Sequence, residues 1–325
     1  MNLENSGTKL GKIPVLISYR IIELFSAGLY SSPNKAFEEL VSNSYDAYAH
    51  KVSVFVPSDT SISNAYMWVC DNGKSMDRDG LKLLWKIGSS TKRNAEEEES
   101  RLQIGKFGIG KLATYVLARK LTYICKDSKG DYLAVTMDYT KIGEDVEEIE
   151  LDERRLTLEE VKAVVKPYIM VDGRSQLSFD LWGENGEDTW TFSIMTELQP
   201  KASEISEGRL KWVLRTALPL NPDFKLHYNG SVLEPSKLDR KPINTWIIGE
   251  NDTTCQNFPE YKESVDSQNR PVVDFEYLKG VRGEIQLFED SMVSGKSEKW
   301  GRSHGIFLMV RERLVNVTDP LLGLD

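Results

Sequence analysis

The feature that most limits what this chain can fold into is residues 37–50, FEELVSNSYDAYAH, because one helix there would have to carry two faces of opposite character. Phe37, Leu40, Val41, Ser44, Tyr45 and Tyr48 recur at helical spacing and suit packing on a sheet, whereas Glu39, Asn43, Asp46 and His50 run down a neighbouring stripe. Ser32 before Pro33 reads as an N-cap followed by proline in the first turn, where its missing amide costs nothing. A polar stripe beside a core-facing stripe is either a solvated surface or one wall of a site.

Two further elements follow in order. Residues 51–56 (KVSVFV) and 65–70 (AYMWVC) alternate as strands around a polar link, and the second opens at Asp71-Asn72-Gly73. A carboxylate there is either a plain Asx turn or an acceptor held rigidly for a ligand amino group such as that of adenine. Glu39 and Asn43, four residues apart, share a helical face. A carboxylate can orient or deprotonate water, and an amide oxygen can ligate magnesium without adding charge beside a triphosphate. Residues 105–111 (GKFGIGK) then have Gly105, Gly108 and Gly110 in GxxGxG spacing before a helix read from Ile109 to Arg119. The pattern fits neither a P-loop nor a dinucleotide fingerprint, but helix amides with Lys106 and Lys111 could hold phosphates.

At 325 residues the chain exceeds what one core usually serves, so two domains are expected, 1–200 and 201–325. A helix is expected within 13–29 and another near 158–165; 177–181 and 189–198 read as a strand pair, and an Asn-Gly turn follows FKLHY at Asn229-Gly230. Cys70, Cys125 and Cys255 lack metal-ligand spacing and read as reduced core residues. The net charge of −9 argues against a surface dedicated to coating DNA but leaves room for one local basic groove, so a nucleic-acid partner stays open. The polar start and the lack of a long apolar window favour a cytoplasmic, non-membrane protein.

FEELVSNSYDA, DNGKSM, IGSSTK and IGKFGIGK, in this order, resemble the GHKL superfamily of ATP-binding domains, with the look of its chaperone and MORC-type branches. The resemblance covers roughly residues 13–200. It implies an α/β fold, the Bergerat two-layer sandwich, with a mixed, mainly antiparallel sheet covered on one face by the motif helices, and a smaller transducer-like α/β domain after it. It further implies magnesium-dependent ATP hydrolysis: Glu39 activating water, Asn43 binding Mg2+, Asp46 supporting the pocket, Asp71 reading adenine, and Gly73 and Met76 lining the base. Gly105, Phe107, Gly108, Ile109 and Gly110 match the phosphate loop, beside which Lys106 or Lys111 adds positive charge, with residues 88–104 as a lid. Thr191 matches the late threonine of the base pocket, with Thr189 competing; Lys299 or Arg302 would reach the terminal phosphate from the second domain. One departure stands out: Ser75 replaces the second glycine usual after Asp-Asn-Gly. A nucleotide-dependent homodimer and an unidentified client are the implied partners. The rival readings are a histidine-kinase-like phosphotransferase and a module that binds ATP with negligible turnover.

Overall fold

The structure, a computed structural model, describes residues 32–85, 110–141, 150–216, 224–233, 243–248, 261–265, 271–275, 283–287, 309–310 and 313–314. The expected helix within 13–29, the lid 88–104, Gly105 to Ile109, Cys255, Lys299 and Arg302 lie outside these residues. The chain divides into two compact units, Met1–Pro235 with Phe307–Thr318, and Ser236–Ile306 with Asp319–Asp325.

The motif helix, α1, spans Asn34–Asp46 and buries Phe37, Leu40, Val41, Ser44 and Tyr45, as its periodicity requires. Its start differs from the expected cap: Pro33 itself occupies the N-cap position, and the Ser32 hydroxyl accepts from Asn34 Nδ2 (3.2 Å) instead of binding a backbone amide. Its end is a Schellman turn, in which Ala49 N donates to Ser44 O (3.1 Å) and Tyr48 N to Tyr45 O (3.0 Å). Tyr48 fills the left-handed position usually taken by glycine, at φ 64. Tyr48 and His50 are thus beyond the helix, and neither extends the stripes assigned to them.

Strands β1 (Lys51–Phe55) and β2 (Tyr66–Asp71) pair antiparallel as expected. After the short helix α2 (Arg78–Leu84), the chain re-enters as a 3-10 helix, Gly110–Val116, and then β3 (Ala118–Lys126), β4 (Tyr132–Asp138) and β5 (Glu153–Leu156). The expected helix to Arg119 therefore stops at Val116, and Ala118 and Arg119 already belong to a strand. Helix α3 (Leu158–Ile169) is longer than expected and starts with a capping box between Thr157 and Glu160. A two-residue hairpin, β6 (Met170–Val171) with β7 (Arg174–Ser175), precedes β8 (Trp190–Leu198). Residues 177–181 are not a strand; Phe179 and Leu181 turn inward to a core instead.

Helix α4 (Glu207–Thr216) packs beside α1, and β9 (Lys225–Tyr228) and β10 (Ser231–Val232) close the unit through the Asn229-Gly230 turn, both residues at positive φ. The sheet runs β10-β9-β1-β2-β8-β3-β4-β5. The pairing of β9 with β1 is parallel and the others in this sheet are antiparallel. Strands β9 and β10 thus belong to the first sheet, and with α4 they fall in the first compact unit. In the second unit, β11 (Asn244–Ile248) pairs with β14 (Gly283–Leu287) and β12 (Tyr261–Val265) with β13 (Pro271–Phe275), all antiparallel. β15 (Met309–Val310) and β16 (Arg313–Leu314), which belong to the first unit, form a last short pair.

The large sheet is mixed and mainly antiparallel with helices on it, the expected fold class. One face meets α1, α4 and the 3-10 helix in a core that includes Phe37, Val41, Met67, Leu121, Met195 and Leu210. The other face is covered as well: α3 and the segment carrying Phe179 and Leu181 bury Trp68, Trp190 and Phe192 completely. Each indole N–H finds a carbonyl in that covering layer, Trp68 Nε1 to Tyr168 O and Trp190 Nε1 to Leu181 O, both at 3.0 Å, so no donor is stranded. No helix among the described residues is long and apolar enough to cross a membrane.

Candidate functional site

Strand alternation sends residues 67, 69 and 71 of β2 to the α1 side of the sheet, and register then decides their neighbours. Val52, Asp71, Thr191, Cys125 and Leu133 lie side by side across β1, β2, β8, β3 and β4. The row is apolar at its ends and polar at its centre. Asp71 is only 6% exposed and Thr191 8%.

The Asp71 carboxylate is held from two sides. Oδ1 accepts from Gly73 N (2.9 Å) and Oδ2 lies 2.8 Å from Ser44 Oγ on α1. Burial outweighs both hydrogen bonds and pushes the carboxyl up to about 6. Ser44 Oγ is also 3.1 Å from Leu40 O. With one proton, Ser44 can serve the carboxylate or the Leu40 carbonyl; when Asp71 is protonated it can donate to Ser44, which then serves Leu40.

Around this pair the turn 71–75 is bound to the end of α1. Lys74 N donates to Ala47 O (2.6 Å), the Lys74 ammonium lies 4.3 Å from the centre of the Tyr48 ring, and Asn72 Oδ1 accepts from His50 N (3.0 Å) and Lys51 N (2.8 Å). A Cβ on Gly73 would stand 2.6 Å from Ala47 O and 3.0 Å from Asp71 Oδ1. Gly73→Ala is accordingly expected to lower unfolding free energy by about 1–3 kcal/mol, because the Ala47 backbone and the Asp71 side chain must give way. Urea unfolding measures this, and an unchanged midpoint would show that the turn and helix end can separate freely.

The two threonines part company. Thr191 stands opposite Asp71 on β8, whereas Thr189 Oγ1 donates to Gly73 O (2.8 Å) and ties down the turn. Ser75 Oγ donates to Trp190 O (2.8 Å) and lies 3.1 Å from Thr191 Oγ1. The Cys125 thiol is bonded to Ser75, Thr191 and the Met76 amide, and burial pushes it up to about 12. Cys70 and Cys125 are buried free thiols, in keeping with reduced core residues. Met76 is half-buried against the α1-side core.

Glu39 and Asn43 sit half-buried on α1, on the side turned away from the sheet-facing residues, and Asp46 is buried at its last turn. Gly110 and Lys111 begin the 3-10 helix. Ser44 and Cys125 are absent from the residues expected at the site, and Ser75 enters there only as a departure from the usual glycine. Ser44 carried a signal: a hydroxyl in an otherwise apolar sheet-facing stripe implies a polar partner beneath it. Cys125 carried none, because only strand register brings it beside Thr191. Among the described residues no group of three or more His, Cys, Asp or Glu side chains is placed to hold a metal.

The profile of the family described as "Histidine kinase-, DNA gyrase B-, and HSP90-like ATPase" matches residues 30–167. No curated protein matches the chain. The crystal structure of the ATPase and transducer domains of DNA topoisomerase II from Balamuthia mandrillaris aligns at 16% identity with a TM-score of 0.38. That alignment covers 62% of this chain and 48% of the other, so the chain spans about half the length of that structure's chain. Residues 30–167, which contain the Glu39/Asn43 helix and the Asp71 turn, are thus a domain of the GHKL type, the superfamily of histidine kinase-, gyrase B- and HSP90-like ATPases.

Proposed function

We propose that this chain binds ATP and hydrolyses it to ADP and phosphate. The observation that carries the reading is the Ser44–Asp71 contact, which sets a buried strand-end carboxylate under the same helix that bears Glu39 and Asn43 on another side. Asp71 and Thr191 would receive the base edge, with Gly73 and Met76 beside it. Glu39 would orient the attacking water and accept its proton as the bond to the terminal phosphorus forms and the bridging oxygen leaves with ADP.

The donor set fits a magnesium ion held chiefly by phosphate oxygens and water, since Asn43 offers one neutral amide oxygen and no carboxylate cage surrounds it among the described residues. Asn43 would hold the ion, with Asp46 supporting the helix end; the ion when bound neutralises charge on the phosphates. The glycine loop from Gly105 to Lys111, residues 88–104 as a lid, and Lys299 or Arg302 at the terminal phosphate complete the proposal on the strength of the family pattern. Closure of that lid would couple nucleotide state to a transducer-like second domain and to pairing of two copies, as in the chaperone-like branches.

Incubating the purified protein with ATP labelled on its terminal phosphate tests the reaction. Free labelled phosphate is the expected product. Stable label on the protein would instead mark a phosphotransferase, and turnover equal to that of a Glu39→Ala variant would mark a binding module. Asn43→Ala should weaken ATP binding about tenfold or more in magnesium and much less in EDTA, read by calorimetry; equal affinities with and without metal in both proteins would remove Asn43 from the metal site.

A further inference from the structure

Ser75, which stands where the family pattern has glycine, has no role in the chemistry just proposed, yet it touches Thr191 and its hydrogen bonds set the direction of that hydroxyl. A serine hydroxyl has one proton. The Trp190 carbonyl, 2.8 Å from Ser75 Oγ, can only accept, so that proton is committed to it. The contact between Ser75 Oγ and Thr191 Oγ1 at 3.1 Å must then use the proton of Thr191. Thr191 is left with lone pairs alone to offer a ligand. The neighbouring Cys125 sulfur, which also contacts both hydroxyls, is only a weak acceptor and a weak donor beside these oxygens.

We propose that Ser75 is a specificity-determining positioning residue: by holding the Thr191 hydroxyl as an acceptor beside the Asp71 carboxylate, it makes the pocket select a purine edge bearing an amino donor and reject one bearing an oxo group. This rests on the proposed ATP site. Two acceptors, Asp71 and Thr191, lie next to each other in register, and both are nearly buried. An oxo group placed there would bring lone pairs against lone pairs, and leaving buried polar groups unpaired is what discriminates strongly. Without the Ser75 oxygen, Thr191 is free to turn its proton toward an oxo group and relieve that conflict.

The test compares the affinities of ATP and inosine triphosphate, in which an oxo group replaces the amino group and N1 becomes a donor, by calorimetry at pH 8, where Asp71 is ionised. Wild-type protein should favour ATP. Ser75→Gly should reduce the ratio of the two affinities about 5- to 10-fold, mainly by tightening inosine triphosphate, and Ser75→Thr, which keeps the hydroxyl, should restore it. Ser75→Ala removes the same hydroxyl while keeping Cβ and gives the same reading should the glycine variant unfold. A folded variant with an unchanged ratio, or one weakened equally for both nucleotides, would overturn the assignment and leave Ser75 a structural residue. Wild-type protein that binds both nucleotides equally would also overturn it. Wild-type protein that binds neither would refute the ATP site itself, and this inference with it.

Discussion

Glu39→Ala is expected to lower the rate of phosphate release about 10²- to 10⁴-fold while ATP affinity stays within a few-fold of wild type. Glu39 lies one helical turn before Asn43 on α1, half-buried and clear of the Asp71 contact, so its removal takes away a base without disturbing the polar row that would hold adenine. A loss confined to turnover is the signature of an interaction made only as the reaction proceeds. Single-turnover phosphate release with parallel calorimetry separates the two quantities. Wild-type turnover in the variant would end the assignment, and loss of binding in equal measure would make Glu39 a structural residue of the helix.

Asp71→Asn should give a protein that is more stable and binds ATP poorly. The unfolded chain ionises this side chain near 3.8, whereas the folded chain keeps the proton up to about 6. The folded state therefore binds more protons between those values, and stability falls as pH rises through that window, reaching its full penalty above pH 6. The gap corresponds to at most about 3 kcal/mol. Asparagine avoids the penalty and can still satisfy its surroundings: its amide oxygen can accept from Gly73 N, its NH2 can donate to Ser44 Oγ, and Ser44 can serve the Leu40 carbonyl. At pH 7.5 the variant should be about 1–3 kcal/mol more stable, with the difference shrinking toward pH 4. Nucleotide affinity should fall about tenfold or more, because a fully charged acceptor becomes a neutral amide whose NH2 group can also face the base. Urea unfolding at the two pH values, with calorimetry at the higher one, checks both halves. A variant destabilised equally at both pH values would show that the carboxylate is structural, and undiminished affinity would remove Asp71 from the base site.

Together these two variants separate binding from turnover within one site. The carboxylate at the strand end carries a standing cost in the absence of ligand, which is the usual mark of a group kept for binding and not for folding.

Periodicity in the sequence alone determined where α1 turns its apolar side, that β2 ends at Asp71, and that Asn229-Gly230 makes a hairpin, since each depends on residues close together along the chain. It also placed Glu39 and Asn43 on one side of a helix. Tertiary structure alone decided which strand lies beside Asp71. β8 enters between β2 and β3, far from both in sequence, and so brings Thr191 and Cys125 to the row. It likewise drew β9 alongside β1, where Asn229 binds Val56 across 173 positions, and turned residues 177–181 from an apparent strand into cover for Trp190. Local patterning records which side of an element is apolar, but not which partner buries it. That choice comes from covering both faces of one sheet at once, and it falls to residues with no mark in their own neighbourhood.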